Sequence, residues 1–300
     1  MVQHFTKRRH LGEVMLKYSK ENINGKIVVK IDQIAYPPTV YLDTWALFDF
    51  IGANDLAGRF IKILNNLGGT LMLSIMSILE SVGLKNQKQF QCLCDLIDSI
   101  GIDRVALLDF NFIRVIDNEK KYKKDNGQFL EISPAIDLEL LDVFIKIHEP
   151  ENPLKVSEIF LAYRQDLENG KVLEENWEQS LFPIIARARN KINALSNAKK
   201  RFRKRKENAN TYKFPCTEFL METCFDYITI NENMKMQDKE WRDIFHTIIP
   251  VAYCDFVLID KRWKNFVQST GLNCPQIAKV YDQRDLSEFL KDLGSWKKPY

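Results

Sequence analysis

Two short apolar runs, Thr39-Val40-Tyr41-Leu42 and Thr70-Leu71-Met72-Leu73-Ser74, constrain this chain more than any other feature of its sequence. The first has the β-branched and aromatic bias of a sheet core and ends abruptly on Asp43. It follows Pro37-Pro38, which stops regular structure from entering from upstream. Between the runs Leu56, Phe60, Ile63, Leu64 and Leu67 recur at helical spacing, and Gly68-Gly69 closes the element as a helix C-terminus does. After the second run, Ser74 predicts an N-cap for a helix through Ile75, Ile78 and Leu79 to Gly83, with Glu80 in its second turn. A strand, helix, strand, helix series predicts parallel pairing through right-handed crossovers. The expected fold is α/β, with three layers, α/β/α, around a central, mostly parallel sheet.

The rest of the chain divides around that unit. Residues 1–37 read as an N-terminal extension with an edge strand at 26–30, and 38–85 as the first part of the core. Residues 86–211 break the rhythm: 90–100, 134–147, 156–167 and 177–206 are helical in pattern, and 105–108 fits either a short strand or a buried helical turn. This block reads as a large helical insertion or cap. Residues 212–300 resume the core, with helices at 215–230 and from Asp238 through Trp241, Ile244, Phe245 and Ile248. A strand at 253–260, a helix at 261–268, a strand at 277–281 and a helix at 286–293 follow.

Composition excludes more than it suggests. A net charge of +3 over 300 residues gives no whole-protein argument for a polyanionic partner, so only a local cluster could provide one. The run Lys199-Lys200-Arg201-Phe202-Arg203-Lys204-Arg205-Lys206 is such a cluster, with the composition either of a phosphate-backbone contact or of an exposed helix end, and Phe202 is placed to stack on a base. Six scattered cysteines without paired spacings read as reduced thiols. No apolar stretch follows Lys7, Arg8 and Arg9 as a secretory leader would require, and the window 67–79 is shorter than a membrane span. The expected location is cytoplasmic, with no membrane partner.

Four carboxylates then form a pattern. Asp43 and Asp260 each end a strand, and Glu80 and Asp243 each sit a turn or so inside a helix. The plainer reading of each is local: a cap or turn for Asp43 and Asp260, a solvated or dipole-favoured position for Glu80 and Asp243. If the strands at 39–44 and 253–260 are parallel neighbours, however, all four acids meet at the carboxyl edge of the sheet. Gathered carboxylates repel unless a cation compensates them, and an all-oxygen set suits one or two Mg²⁺ or Mn²⁺ ions. Such sites are suited to phosphodiester hydrolysis. His246, three residues after Asp243 on nearly the same helix face, reads as either a packed histidine or a group that orients a carboxylate or water. Lys261 and Arg262, directly after the fourth acid, are placed to hold a scissile phosphate.

The runs Thr39-Val40-Tyr41-Leu42-Asp43-Thr44, Leu71-Met72-Leu73-Ser74 through Glu80, and Trp241-Arg242-Asp243 through Asp260-Lys261 resemble the ordered motifs of PIN-domain nucleases. In that family the first acid follows the opening strand and the second sits on the helix after strand two. The third lies on the helix before strand four, and the fourth follows strand four. The resemblance covers roughly residues 38–84 and 238–293. It implies a metal-dependent endonuclease, acting on single-stranded or structured RNA in preference to DNA, with Asp43, Glu80, Asp243 and Asp260 as metal-binding catalytic acids. It also implies auxiliary roles for Thr44 and Asp255. Trp45 and the long insertion depart from the family pattern. A toxin or phage-defence role, an inhibitor protein and a homodimer are all compatible with such an enzyme. The competing reading is a catalytically silent PIN-like module that binds nucleic acid or protein. A haloacid-dehalogenase phosphatase is rejected because Trp45 stands where its second Asp belongs. No G-x-G-x-x-G follows an early strand, which disfavours a dinucleotide-binding fold.

Overall fold

Val40, Tyr41 and Leu42 are fully buried, the environment expected of a central strand covered on both faces. The structure, a computed structural model, describes residues 16–24, 26–52, 54–126, 133–148, 155–169, 195–212, 215–231 and 238–297. Its strands are β1 (Leu16–Ile23), β2 (Lys26–Gln33), β3 (Thr39–Leu42), β4 (Thr70–Ser74), β5 (Val105–Leu108), β6 (Phe256–Leu258) and β7 (Lys279–Tyr281). The last five form one sheet in the order β5-β4-β3-β6-β7, with every adjacent pair parallel. Helices flank it, and the fold is three-layer α/β/α as expected.

Helices α1 (Thr44–Gly52) and α2 (Asn54–Leu67) connect β3 to β4, and α3 (Ile75–Val82) and α4 (Gln87–Ile100) connect β4 to β5. Between β5 and β6 come α5 (Phe112–Asn126), α6 (Leu138–His148), α7 (Val156–Asn169), α8 (Leu195–Glu207), α9 (Thr217–Ile230), α10 (Asp238–Phe245) and α11 (Ile248–Tyr253). Helix α12 (Lys261–Ser269) links β6 to β7, and α13 (Leu286–Gly294) follows. From β3 the chain steps outward through β4 to β5, whereas from β6 it steps the opposite way to β7. Right-handed crossovers therefore put α2 and α4 on one face and α12 on the other. Helix α13 packs on α2, and α9 packs on α5, α11 and α12. The reversal makes the carboxyl ends of β3 and β6 the topological switch point, where open α/β sheets bind ligands.

Several local expectations are corrected. The stretch 105–108 is a strand, so the segment 86–211 is not wholly an insertion but supplies one edge of the sheet. That edge is covered. Gln33 Nε2 donates to the Val105 carbonyl at 3.2 Å, its Oε1 accepts from Leu107 N at 3.5 Å, and an antiparallel bridge joins Leu108 to Ile136. The bridge and the cap from Leu140 N to Asp137 Oδ1, 3.1 Å, delay the helix expected at 134–147 until Leu138. The edge strand expected at 26–30 forms, but pairs with β1 in a separate antiparallel hairpin. The helix expected through Ile248 breaks at His246-Thr247, because Pro250 has no N–H to give the carbonyl of residue 246. The strand expected at 253–260 is only Phe256–Leu258; the apolar run before it is a buried helix, which periodicity alone does not distinguish from a strand. Of the helix expected at 177–206, residues 177–194 lie outside the described residues. Among the described residues no helix is long and apolar enough to cross a membrane. All six cysteines are free thiols.

Asp255, an auxiliary site residue on the family resemblance, lies at the opposite, amino edge of the sheet. Its carboxylate accepts from Thr39 N at 2.7 Å and Thr39 Oγ1 at 2.9 Å, and Asp255 N donates back to the Thr39 carbonyl at 2.9 Å. The exchange fixes β6 against β3 where both begin. Asp255→Ala leaves the Thr39 N–H without its acceptor and is expected to lower unfolding free energy by about 1–3 kcal/mol. An unchanged urea midpoint would contradict that structural role.

Candidate metal centre

The backbone delivers the first and fourth acids. Asp43 N donates to the Leu258 carbonyl at 3.0 Å, extending the β3–β6 pairing by one residue, and Asp43 Oδ1 accepts from Thr44 N at 2.7 Å. Asp43 is 7% exposed. Asp260 stands at the exposed carboxyl end beyond β6 in the N-cap position of α12, yet its side chain makes no capping bond. Glu80 is brought in by α3, whose N-cap Ser74 accepts from Ser77 N at 3.2 Å as expected. The Thr44 hydroxyl donates a short hydrogen bond to Glu80 Oε2, which ties the start of α1 to α3.

The residue that joins these acids is His246. Its ring is buried, with Nδ1 2.5 Å from the Tyr41 hydroxyl and 3.6 Å from Asp43 Oδ1, and Nε2 3.5 Å from Glu80 Oε1. Tyr41 is anchored in turn, its hydroxyl lying 3.2 Å from Ser74 Oγ and 3.1 Å from Ser77 Oγ. Nε2 is buried and makes no hydrogen bond. One donor atom from each of Asp43, Glu80 and His246 lies within 4.8 Å of the others, close to the span of one coordination shell, and this is the metal-competent group among the described residues. An orphaned imidazole nitrogen beside two carboxylates fits a divalent cation.

The electrostatics show acids under compression. Burial, reinforced by Glu80 and Asp260 and partly offset by His246, pushes Asp43 up to about 6. Burial would raise Glu80 too, but His246, Thr44 and Arg242 hold it below its ordinary value. For His246 burial acts downward and is outweighed by Tyr41, Asp43 and Glu80, which hold the ring well above the usual histidine range. Asp243 and Asp260 are each raised, first by burial and then by neighbouring acids, Asp260 acting on Asp243 and Glu80 on Asp260. All four expected acids are thus electrostatically coupled, but Asp243 and Asp260 lie outside the tight group of three.

Other candidates divide. Arg262 Nη2 stands 3.5 Å from Asp243 Oδ2, so it pairs with the third acid. Lys261 is exposed at the start of α12. In the basic run, Arg201 and Arg205 both pair with the buried Asp226, and Arg205 also pairs with Glu222, so these two hold α8 on α9, with Arg205 largely covered and Arg201 still partly exposed. Phe202 packs on Tyr227 with ring centroids 6.0 Å apart, which removes it from base stacking. Lys199, Lys200, Arg203, Lys204 and Lys206 are exposed, Arg203 in a surface pair with Glu207. Sequence reasoning missed Tyr41, Ser77 and Arg242; a tyrosine inside a buried strand, on the same face as the acid that ends it, was the available signal. Comparison of the chain with protein-family models, with curated proteins and with solved structures returns no match.

The raised carboxyl of Asp43 has a sign. Its stabilising share is fully present below the unfolded value near 3.8 and is lost as pH rises through about 6. In EDTA, Asp43→Asn is therefore expected to be more stable than wild type above pH 6, by about 1–3 kcal/mol, with the gap closing toward pH 4. Equal stability of the two proteins across that range would contradict the compression.

Proposed function

We propose that the chain is a metal-dependent nuclease, hydrolysing phosphodiester bonds of RNA at the switch point between β3 and β6. The observation that carries the reading is the gathering there of Asp43, Glu80 and a buried His246 nitrogen that makes no hydrogen bond. The order of the acids along the fold supports the PIN-like assignment: Asp43 follows the sheet's opening strand β3, Glu80 lies on the helix after β4, Asp243 on α10 before β6, and Asp260 follows β6.

A bound cation supplies Lewis acidity and a water more easily deprotonated at neutral pH. The protein does the positioning. Thr44 fixes Asp43 through its N–H and Glu80 through its hydroxyl, and Tyr41 fixes His246. Asp260, whose carboxylate is not used in capping and is raised by burial, is the group suited to take a proton from water. Arg242 beside Glu80 and Arg262 beside Asp243 place positive charge where a phosphate enters.

The lysines of α8 extend that charge. Arg205 pairs with Glu222 and Arg201 with Asp226, so α8 runs antiparallel to α9. Phe225 on α9 meets Phe112, which follows the carboxyl end of β5, and Phe112 stacks on Phe245 next to His246. Lys199 and Lys200 accordingly lie toward the carboxyl edge. A specific observation also favours the silent binding module: His246 and Arg262 already place positive charge against the acids.

Labelled single-stranded RNA and DNA, incubated with Mn²⁺, Mg²⁺ or EDTA, separate the two. Metal-dependent cleavage of RNA that falls at least about 100-fold in Asp43→Asn is expected. Equal inertness of both proteins, with retained binding, would transfer the assignment to the module. Lys199→Glu with Lys200→Glu is expected to weaken RNA binding and to flatten its salt dependence, by roughly one unit of log–log slope for each phosphate no longer neutralised. An unchanged slope would remove α8 from the interface.

A further inference from the structure

We infer that His246 is itself a metal ligand through Nε2, making the centre a two-carboxylate, one-imidazole site that takes a transition dication such as Mn²⁺ or Co²⁺ in preference to Mg²⁺. The inference rests on the metal-site reading above and narrows it. An all-carboxylate site, the expectation from sequence, gives no reason for a histidine at its centre.

The hydrogen bonding decides which ring nitrogen is available. Nδ1 is 2.5 Å from the Tyr41 hydroxyl, and that hydroxyl has two serine oxygens, Ser74 Oγ and Ser77 Oγ, within 3.2 Å. Tyr41 can accept the proton of Nδ1 while donating its own to either serine, which are both buried and need partners. With Nδ1 engaged by Tyr41, Nε2 is the ring nitrogen directed at the carboxylates and open to a cation. A full hydrogen bond from Nε2–H to Glu80 would bring the nitrogen to about 2.7–3.2 Å of the carboxylate oxygen. Nε2 instead stands at 3.5 Å from Glu80 Oε1 and makes no hydrogen bond, although at 1% exposure bulk water does not reach the ring. A buried nitrogen facing a carboxylate oxygen calls for a cation between them, a proton in the free protein and a metal ion when one is bound. Metal-binding histidines almost always donate their other ring N–H to an orienting group, and Tyr41 is that group here.

The donor set then selects the ion. Mg²⁺ prefers oxygen and dehydrates reluctantly, whereas imidazole raises affinity along the series from Mn²⁺ to Co²⁺ and beyond. Three protein donors also leave positions for water and a phosphate oxygen.

The test uses the full-length chain stripped with EDTA. Mn²⁺ binding is followed by electron paramagnetic resonance, with Mg²⁺ as competitor, and spin-echo modulation of bound Mn²⁺ reports any directly bonded nitrogen. The expected result is Mn²⁺ ahead of Mg²⁺ by at least about tenfold, with ¹⁴N modulation that becomes a ¹⁵N coupling when the chain's four histidines are ¹⁵N-labelled. Tyr41→Phe should weaken Mn²⁺ by about 10- to 100-fold, and His246→Gln should remove both the nitrogen coupling and the preference over Mg²⁺. The wild-type coupling keeps the test decisive if either buried variant fails to fold. Mn²⁺ bound without nitrogen coupling, equal affinity for the two ions, or coupling that survives His246→Gln each overturns His246 as ligand while leaving a metal site in place. Failure of both ions to bind at millimolar concentration overturns the metal-site reading itself.

Discussion

The parallel register of β3 against β6 is the constraint on which everything at the carboxyl edge depends. Asp255 and Thr39 lock the pair where the strands begin, and the bond from Asp43 N to the Leu258 carbonyl carries the register one residue past the last strand position. A shift of one residue in a parallel pair would turn Asp43 into the core and swing Tyr41 away from His246. Because the connections leave these two strands in opposite directions, their carboxyl ends are the topological switch point of the sheet, where open α/β folds bind ligands. The sheet therefore concentrates its acids at its switch point.

That concentration works against stability and is tolerated through specific counter-charges. Asp43 is burdened by burial and by Glu80 and Asp260, while His246 relieves both members of the inner pair from its position between them. Arg262 performs the same service for Asp243. Elsewhere in the molecule charges are paired to hold elements together: Arg114 links Asp109, Asp137 and Glu139 beyond β5, and Arg201 and Arg205 close on Asp226. The two settings differ in completeness. Asp226 has both of its oxygens satisfied by guanidinium groups, whereas His246 Nε2 makes no hydrogen bond, and a buried group of that kind calls for an explanation such as an ion.

Legibility in the sequence followed burial pattern. Strands 39–42 and 70–74 and the helices after them were readable because short apolar runs, Ser74 and Gly68-Gly69 agree at every level, and Gly68 does adopt the positive φ of 69° that a helix end asks of glycine. The segment 248–259 misled because a continuous apolar run carries no period, and only the Pro250 break and the pairing of Phe256 with Val40 separate helix from strand. Strand 105–108 was ambiguous for the same reason. In the site, the acids were visible as residue types at strand and helix ends. The hydroxyl floor of Tyr41, Ser74 and Ser77 was not, since residues 33 to 36 positions apart meet only through the β3–β4 pairing. The basic run shows the reverse error, because composition does not reveal which arginines face a partner helix.

Diffraction from crystals soaked in Mn²⁺, recorded at the manganese absorption edge, locates any ion held at the switch point. The expected result is an anomalous peak at the carboxyl edge between β3 and β6, within bonding distance of Asp43, Glu80 and His246 Nε2. A map with no peak there, at an ion concentration that loads exposed surface acids, would contradict it.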